Sequence, residues 1–142
     1  MSADLDLGEL TDDALTAGYR GWQRARGHRY SIDDVATAWE AALAVPRATR
    51  VCDLGCGIGS VALMLAWKLP SAFVVGLEAQ EISLALAERN VERNALRERV
   101  RLHHGDLRDP EARARLDGPF ALVTGTPPYF DAASASPSTD AQ

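Results

Sequence analysis

The sequence predicts an α/β fold, a parallel sheet with helices on both faces, and three observations carry that prediction. From Arg50 onward short apolar runs alternate with helix-period stretches, a pattern that implies right-handed crossovers between parallel strands. The run Val51-Cys52-Asp53-Leu54 enters the turn Gly55-Cys56-Gly57-Ile58-Gly59, which passes at once into the apolar stretch Ser60 to Leu69. Glycines there let the chain turn tightly and let a ligand lie against bare backbone, while the helix start offers free N–H groups. Glu78 ends the next apolar run, Phe73-Val74-Val75-Gly76-Leu77, about twenty residues past the last glycine, the spacing of a ribose-binding acid in a Rossmann-like unit.

Each element has its own local reason. Residues 1–30 are polar and weakly periodic, with glycines at 8, 18, 21 and 27, and read as a flexible start with one short helix near 12–17. Ser31 is a candidate N-cap, and Asp34 supplies the acid of a capping box. The helix that follows should run to Ala44, burying Val35, Ala38, Trp39, Ala42 and Leu43, until Pro46 prevents continuation. Strands are expected over 50–54, 73–77, 99–104 and 120–124, and helices over 59–69, 80–94 and 110–116. The helix from Gln80 should turn Ile82, Leu84, Ala85, Leu86, Ala87 and Val91 inward, with Glu81, Glu88, Arg89 and Arg93 outward. Residues 131–142 collapse to Ala, Ser, Pro, Thr and Asp and read as a disordered tail. The expected organisation is therefore an N-terminal segment over 1–30, one ligand-binding domain over 31–130, and that tail.

Composition narrows the function classes. Apolar and charged residues make up 46% and 25% of 142 residues, ordinary for a single soluble domain. No apolar stretch approaches the length of a membrane span. The acidic opening lacks the basic start of a secretory signal. Cys52 and Cys56 are too few and too close for a disulfide framework or a zinc site, so no metal and a reducing, cytoplasmic setting are expected. The net charge of −5 disfavours broad binding to a phosphate backbone. A local basic cluster, Arg20, Arg24, Arg26, His28 and Arg29, reads first as a solvated face and second as a contact for an anionic substrate.

The glycines run Gly-x-Gly-x-Gly behind an acid, Asp53, rather than in the Gly-x-Gly-x-x-Gly spacing of nicotinamide enzymes. This resembles the first motif of class I S-adenosylmethionine-dependent methyltransferases. The resemblance implies S-adenosyl-L-methionine as cofactor, Asp53 holding its methionine part, and Gly55, Gly57 and Gly59 passing beneath it. Glu78, with Ala79 after it, would take the ribose hydroxyls. His104-Gly105-Asp106-Leu107 resembles the adenine-contacting segment, with Asp106 accepting from the exocyclic amine and Leu107 beside it. Val123-Thr124-Gly125-Thr126-Pro127-Pro128-Tyr129-Phe130 resembles the (Asn/Asp/Ser)-Pro-Pro-(Tyr/Phe) motif of enzymes that methylate amino groups conjugated to a planar system. By that likeness Thr126, Pro127, Pro128 and Tyr129 are the catalytic candidates: an acceptor oxygen, a rigidly held carbonyl and an aromatic that stacks on the target.

Within the class the chain is similar to the tRNA(Val) adenine-N6 methyltransferase family over residues 27–130. The likeness includes Gly27-His28-Arg29-Tyr30-Ser31-Ile32-Asp33, which resembles the segment that closes over the methionine end and makes Tyr30 a cofactor contact. Two departures bear on function. Thr126 stands where the nucleic-acid enzymes carry Asn or Asp, and a threonine hydroxyl is a shorter acceptor than a carbonyl-type oxygen. The family also continues through three further strands, whereas here four are expected, in the order 3-2-1-4, with the fourth an unprotected edge. The reaction implied is methyl transfer to an amine, a tRNA nucleobase among the candidates, or to a hydroxyl of a tRNA or small molecule. The alternative is a cofactor-binding half-domain or fragment, inactive without the family's further C-terminal strands or without a partner chain or second copy at that edge.

Overall fold

The structure, a computed structural model, describes residues 5–127 and residue 133. In chain order its elements are β1 (Leu10–Ala14), β2 (Arg20–Arg24), α1 (Ile32–Ala44), β3 (Arg50–Leu54), α2 (Ser60–Lys68), β4 (Phe73–Glu78), α3 (Glu81–Arg93), β5 (Val100–His104), α4 (Pro110–Ala114) and β6 (Leu122–Gly125). The central sheet runs β5-β4-β3-β6, all parallel, which is the 3-2-1-4 order expected for the four crossover strands. Strand alternation divides its side chains between two faces. Val51, Val74 and Val100 share one face, where they pack with the buried sides of α1, α2 and α3. Cys52, Val75 and Leu77 share the other, covered by Ala112 of α4 and by Leu116.

The start of the chain departs from expectation. No helix forms near 12–17. Instead β1 and β2 pair antiparallel, Leu10 opposite Arg24 and Ala14 opposite Arg20. Asn90, fully buried on α3, holds this hairpin: its Oδ1 accepts from Trp22 N–H at 2.6 Å, and its Nδ2 donates to the Trp22 and Ile58 carbonyls at 3.0 Å each. Asn94 repeats the arrangement one turn later, with the backbone of Arg20. The basic cluster and the acidic opening partly neutralise each other, Arg20 bonding Asp12 and Arg29 bonding Asp13, both at 3.1 Å.

Helix α1 starts on the expected capping box, with Ser31 accepting from Asp33 N–H and Asp34 accepting from Ser31 N–H. Its buried side differs from the one anticipated. Asp34, Ala38, Ala41 and Ala42 face inward, whereas Val35, Trp39 and Leu43 are 39%, 56% and 57% exposed. Small alanines let α1 approach α2 closely, so the bulkier stripe turns outward, where Lys68 lies 5.4 Å from the Trp39 ring. On α3, Leu86, Ala87 and Val91 are buried as expected, while Ile82, Leu84 and Ala85 are only half-buried.

Gly76 is the point where the sheet admits the glycine turn. A Cβ there would stand 2.7 Å from Leu102 Cδ2 and 2.9 Å from Cys56 Sγ, closer than real contacts allow. We expect Gly76→Ala to cost about 1–3 kcal/mol in urea unfolding, as over-packing does. An unchanged midpoint would mean that Cys56 and Leu102 have room to yield. β6 pairs on one side only, with β3, and among the described residues nothing pairs with its outer edge.

Candidate functional site

The crevice lies where β3, β4 and β6 end together. The turn after β3 is anchored by Gly55 N–H and Cys56 N–H, which both donate to the Leu77 carbonyl, at 2.8 and 3.0 Å. Gly57 takes a φ of +55° that side-chain-bearing residues avoid, and this aims its N–H at Glu78 Oε2, 2.7 Å away. A Cβ on Gly55 or Gly57 would meet nothing within 4 Å, so the turn presents bare main chain to open space. Gly59, at a φ of +86°, begins α2, and a Cβ there would touch Ala87 of α3 at 3.5 Å.

Three acids gather under this turn. Glu78 is 7% exposed, and its Oε1 accepts from Gln80 N–H at 2.8 Å. Each carboxylate oxygen thus holds one backbone donor and keeps a second lone pair. Asp53 is 2% exposed, and its Oδ1 accepts from the Thr124 hydroxyl of β6 at 2.8 Å. Burial pushes the Asp53 carboxyl up to about 7; the Thr124 bond opposes that shift, and the negative charges of Asp34 and Glu78 add to it. Asp34, also buried, accepts from the Ser60 hydroxyl at 3.3 Å as well as from Ser31 N–H. These carboxylates make no ion pair with a basic side chain of the described residues. Nor is any group of three His, Cys, Asp or Glu side chains there arranged to hold a metal. The chemistry of such a donor set suits a cationic ligand carrying hydroxyls.

The other residues singled out in the sequence lie around this core in different states. Tyr30 packs on the main core, and its hydroxyl donates to the Ala14 carbonyl at 2.6 Å, tying α1's approach to the hairpin. The Ala79 carbonyl lies 2.8 Å from His104 Nε2, which must therefore carry the hydrogen. Asp106 follows β5 as expected, but both its oxygens are held by Arg108, and that bonding brings its carboxyl down to about 2. Leu107 beside it is 48% exposed. Thr126 is half-buried and Pro127 exposed just past β6, while Pro128 and Tyr129 lie outside the described residues. Burial drives the Cys52 thiol up to about 11 and the Cys56 thiol well above its ordinary range, so neither is a ready nucleophile.

Asp34, Ser60 and Thr124 were not expected in the site. The threonine hydroxyl that reaches the acid is Thr124, two residues before Thr126. Signals for two of them stand in the sequence: Asp34 stands four before Ala38 on the alanine stripe, and Thr124 shares a strand face with Leu122 along β6.

Comparison with known proteins places the chain among relatives. The profile of the methyltransferase small domain family matches residues 29–139. Release factor glutamine methyltransferase of Geobacter sulfurreducens is 42% identical over 94 residues, which cover 66% of this chain and 31% of that protein. The tRNA1(Val) (adenine(37)-N6)-methyltransferase of Yersinia pestis is 34% identical over 99 residues, covering 69% of this chain and 38% of that protein. Among solved structures, the N-terminal domain of EvdMO1 with SAH bound gives a TM-score of 0.53 at 28% identity, over 66% of this chain and 42% of that one. The chain thus spans between 31% and 38% of the length of these two curated relatives.

Proposed function

Since the chain belongs to the methyltransferase small domain family, we propose that its crevice binds S-adenosylmethionine and serves methyl transfer to an amine or hydroxyl acceptor. The observation that carries this reading is the open glycine turn bonded through Gly57 to buried Glu78, with buried Asp53 and Asp34 as neighbouring acids. When bound, the cofactor supplies an electrophilic methyl on a sulfonium cation. Glu78, with a free lone pair on each oxygen, accepts from the two ribose hydroxyls. The buried charges of Asp53 and Asp34 favour the cationic methionine end. Gly55 and Gly57 let the ligand approach the main chain, and the open side of the turn is where it fits. Asp106 reaches an adenine amine only by giving up bonds to Arg108.

On the acceptor side, the relatives' names specify a release-factor glutamine and a tRNA adenine, both of which present a nitrogen conjugated to a carbonyl or ring. On this reading Thr126 and the carbonyl after it orient such a nitrogen, and catalysis is by positioning. Protein amides, tRNA and small amines are therefore the acceptors to screen. Among the described residues no helix is long and apolar enough to cross a membrane, and the two free, buried cysteines suit the cytoplasm as the setting. A second reading is favoured by the open edge of β6: the described half binds cofactor, and further strands, whether C-terminal ones such as the relatives carry or those of a partner or second copy, complete the acceptor pocket.

Calorimetry with S-adenosylhomocysteine tests the first step, and saturable binding is expected. Lack of binding alongside binding of a nicotinamide dinucleotide would overturn the assignment. Labelled methyl transfer to tRNA, release-factor protein and small amines then tests the acceptor. Sizing the protein separates the two readings, because an active monomer would rule out the need for a partner.

A further inference from the structure

The sheet face that carries α4 holds a cavity of about 130 Å³ that the cofactor crevice does not use. Strand register assembles its wall. Arg50 is opposite Phe73 across β3 and β4, Val75 is opposite Arg101 across β4 and β5, and His103 lies two residues beyond Arg101 on the same face. Arg115, one residue past α4, closes the rim. Phe73 serves both strand arginines, its ring centroid lying 5.7 Å from the Arg50 guanidinium and 5.5 Å from that of Arg101.

Positive charge is concentrated here without a counter-ion. None of Arg50, Arg101 and Arg115 forms an ion pair with a carboxylate among the described residues. The one acid on the rim, Asp117, is exposed, and Arg50 bonds its main-chain carbonyl rather than its carboxylate. His103 registers the field: partial burial, then the charges of Arg101 and Arg115, hold its imidazole below the ordinary histidine range. Arg101 and Arg115 are exposed and Arg50 is half-buried, so water screens part of their repulsion and the cluster stays open to an anion that would settle between them.

We propose that this cavity is a binding site for a phosphate-class oxyanion, carried either by a free phosphate ester or by a polynucleotide backbone. The Arg101 guanidinium, with the donors that Arg50 and Arg115 do not spend on the Asp117 and His104 carbonyls, surrounds one cavity and suits a tetrahedral, multiply charged group, whereas a carboxylate is saturated by fewer donors. The site does not depend on the methyl-transfer reading, since it shares no residue with the glycine turn or its acids.

The test is a titration of the intact chain with inorganic phosphate at low ionic strength, followed through the His103 ring signals. A saturable shift is expected, with the His103 titration midpoint rising. Arg101→Gln and Arg115→Gln should each weaken binding about tenfold, as loss of a charge-assisted bond does, while S-adenosylhomocysteine affinity stays at the wild-type value. Competition distinguishes the sources: displacement of phosphate by a short oligouridylate supports the backbone, and displacement by glycerol phosphate alone supports a free ester. A shift reproduced by sodium chloride at equal ionic strength, no saturable shift at all, or unchanged affinity in both variants would overturn the proposal.

Discussion

Glu78→Ala is expected to lower affinity for S-adenosylhomocysteine at least tenfold, about 1.4 kcal/mol or more, and to destabilise the fold as well. Both effects have one origin. The carboxylate accepts from Gly57 N–H and Gln80 N–H at 2.7 and 2.8 Å, so it fixes the glycine turn as well as facing the crevice. Each bond to a charged acceptor is worth about 1.5–3 kcal/mol, and alanine leaves both donors without it. Glu78→Gln separates the two roles: its amide oxygen still accepts one N–H, but its NH₂ opposes the other. Asp106→Ala is the informative contrast, because that carboxylate already holds Arg108, and a smaller loss is expected. Calorimetry and denaturant unfolding on the three variants check the ordering. Wild-type affinity in Glu78→Ala would remove this residue from the site.

What could be read in the sequence, and what could not, follows the range of the forces involved. Asp53, the glycine turn and Glu78 are local signals, set by a strand end and the residues that follow it, and the structure brings them together. The alternation from Arg50 onward likewise suffices for four parallel strands, while their order came only with the family resemblance. The hairpin is different, because Asn90 holds Trp22 from 68 residues away, and its buried amide stands on a helix face that periodicity treats as polar. The buried side of helix α1 departs from its apolar stripe for a related reason. Val35, Trp39 and Leu43 form its most apolar stripe, but close approach to α2 selects the alanines. In the site, Thr124 reaches Asp53 only through the β3–β6 pairing, and Asp34 reaches Ser60 only through α1–α2 packing. The position of Asp106 was legible, whereas its capture by Arg108 depends on side-chain geometry that spacing does not encode.

The same burial that hides Asp53 makes the protein pH-sensitive in a definite direction. Its carboxyl is raised in the fold from an ordinary 3.8 to about 7, so the native state binds the proton more tightly than the unfolded chain. Folding therefore takes up a proton between those values, and this group's contribution to stability is greatest near pH 4 and is lost as pH rises through 7. A shift of that size corresponds to at most about 4 kcal/mol. A cationic ligand has the opposite preference, because it favours the ionised carboxylate. Affinity for S-adenosylmethionine should accordingly rise about tenfold per pH unit up to about 7 and level off above it. Asp53→Asn keeps the shape and the Thr124 contact but cannot ionise, so it should unfold with a flatter pH profile and bind weakly with no slope. Calorimetric titrations and urea midpoints from pH 5 to 8 on both proteins measure the two trends. Equal slopes in wild type and Asp53→Asn would show that another group, not this buried acid, sets the charge of the crevice.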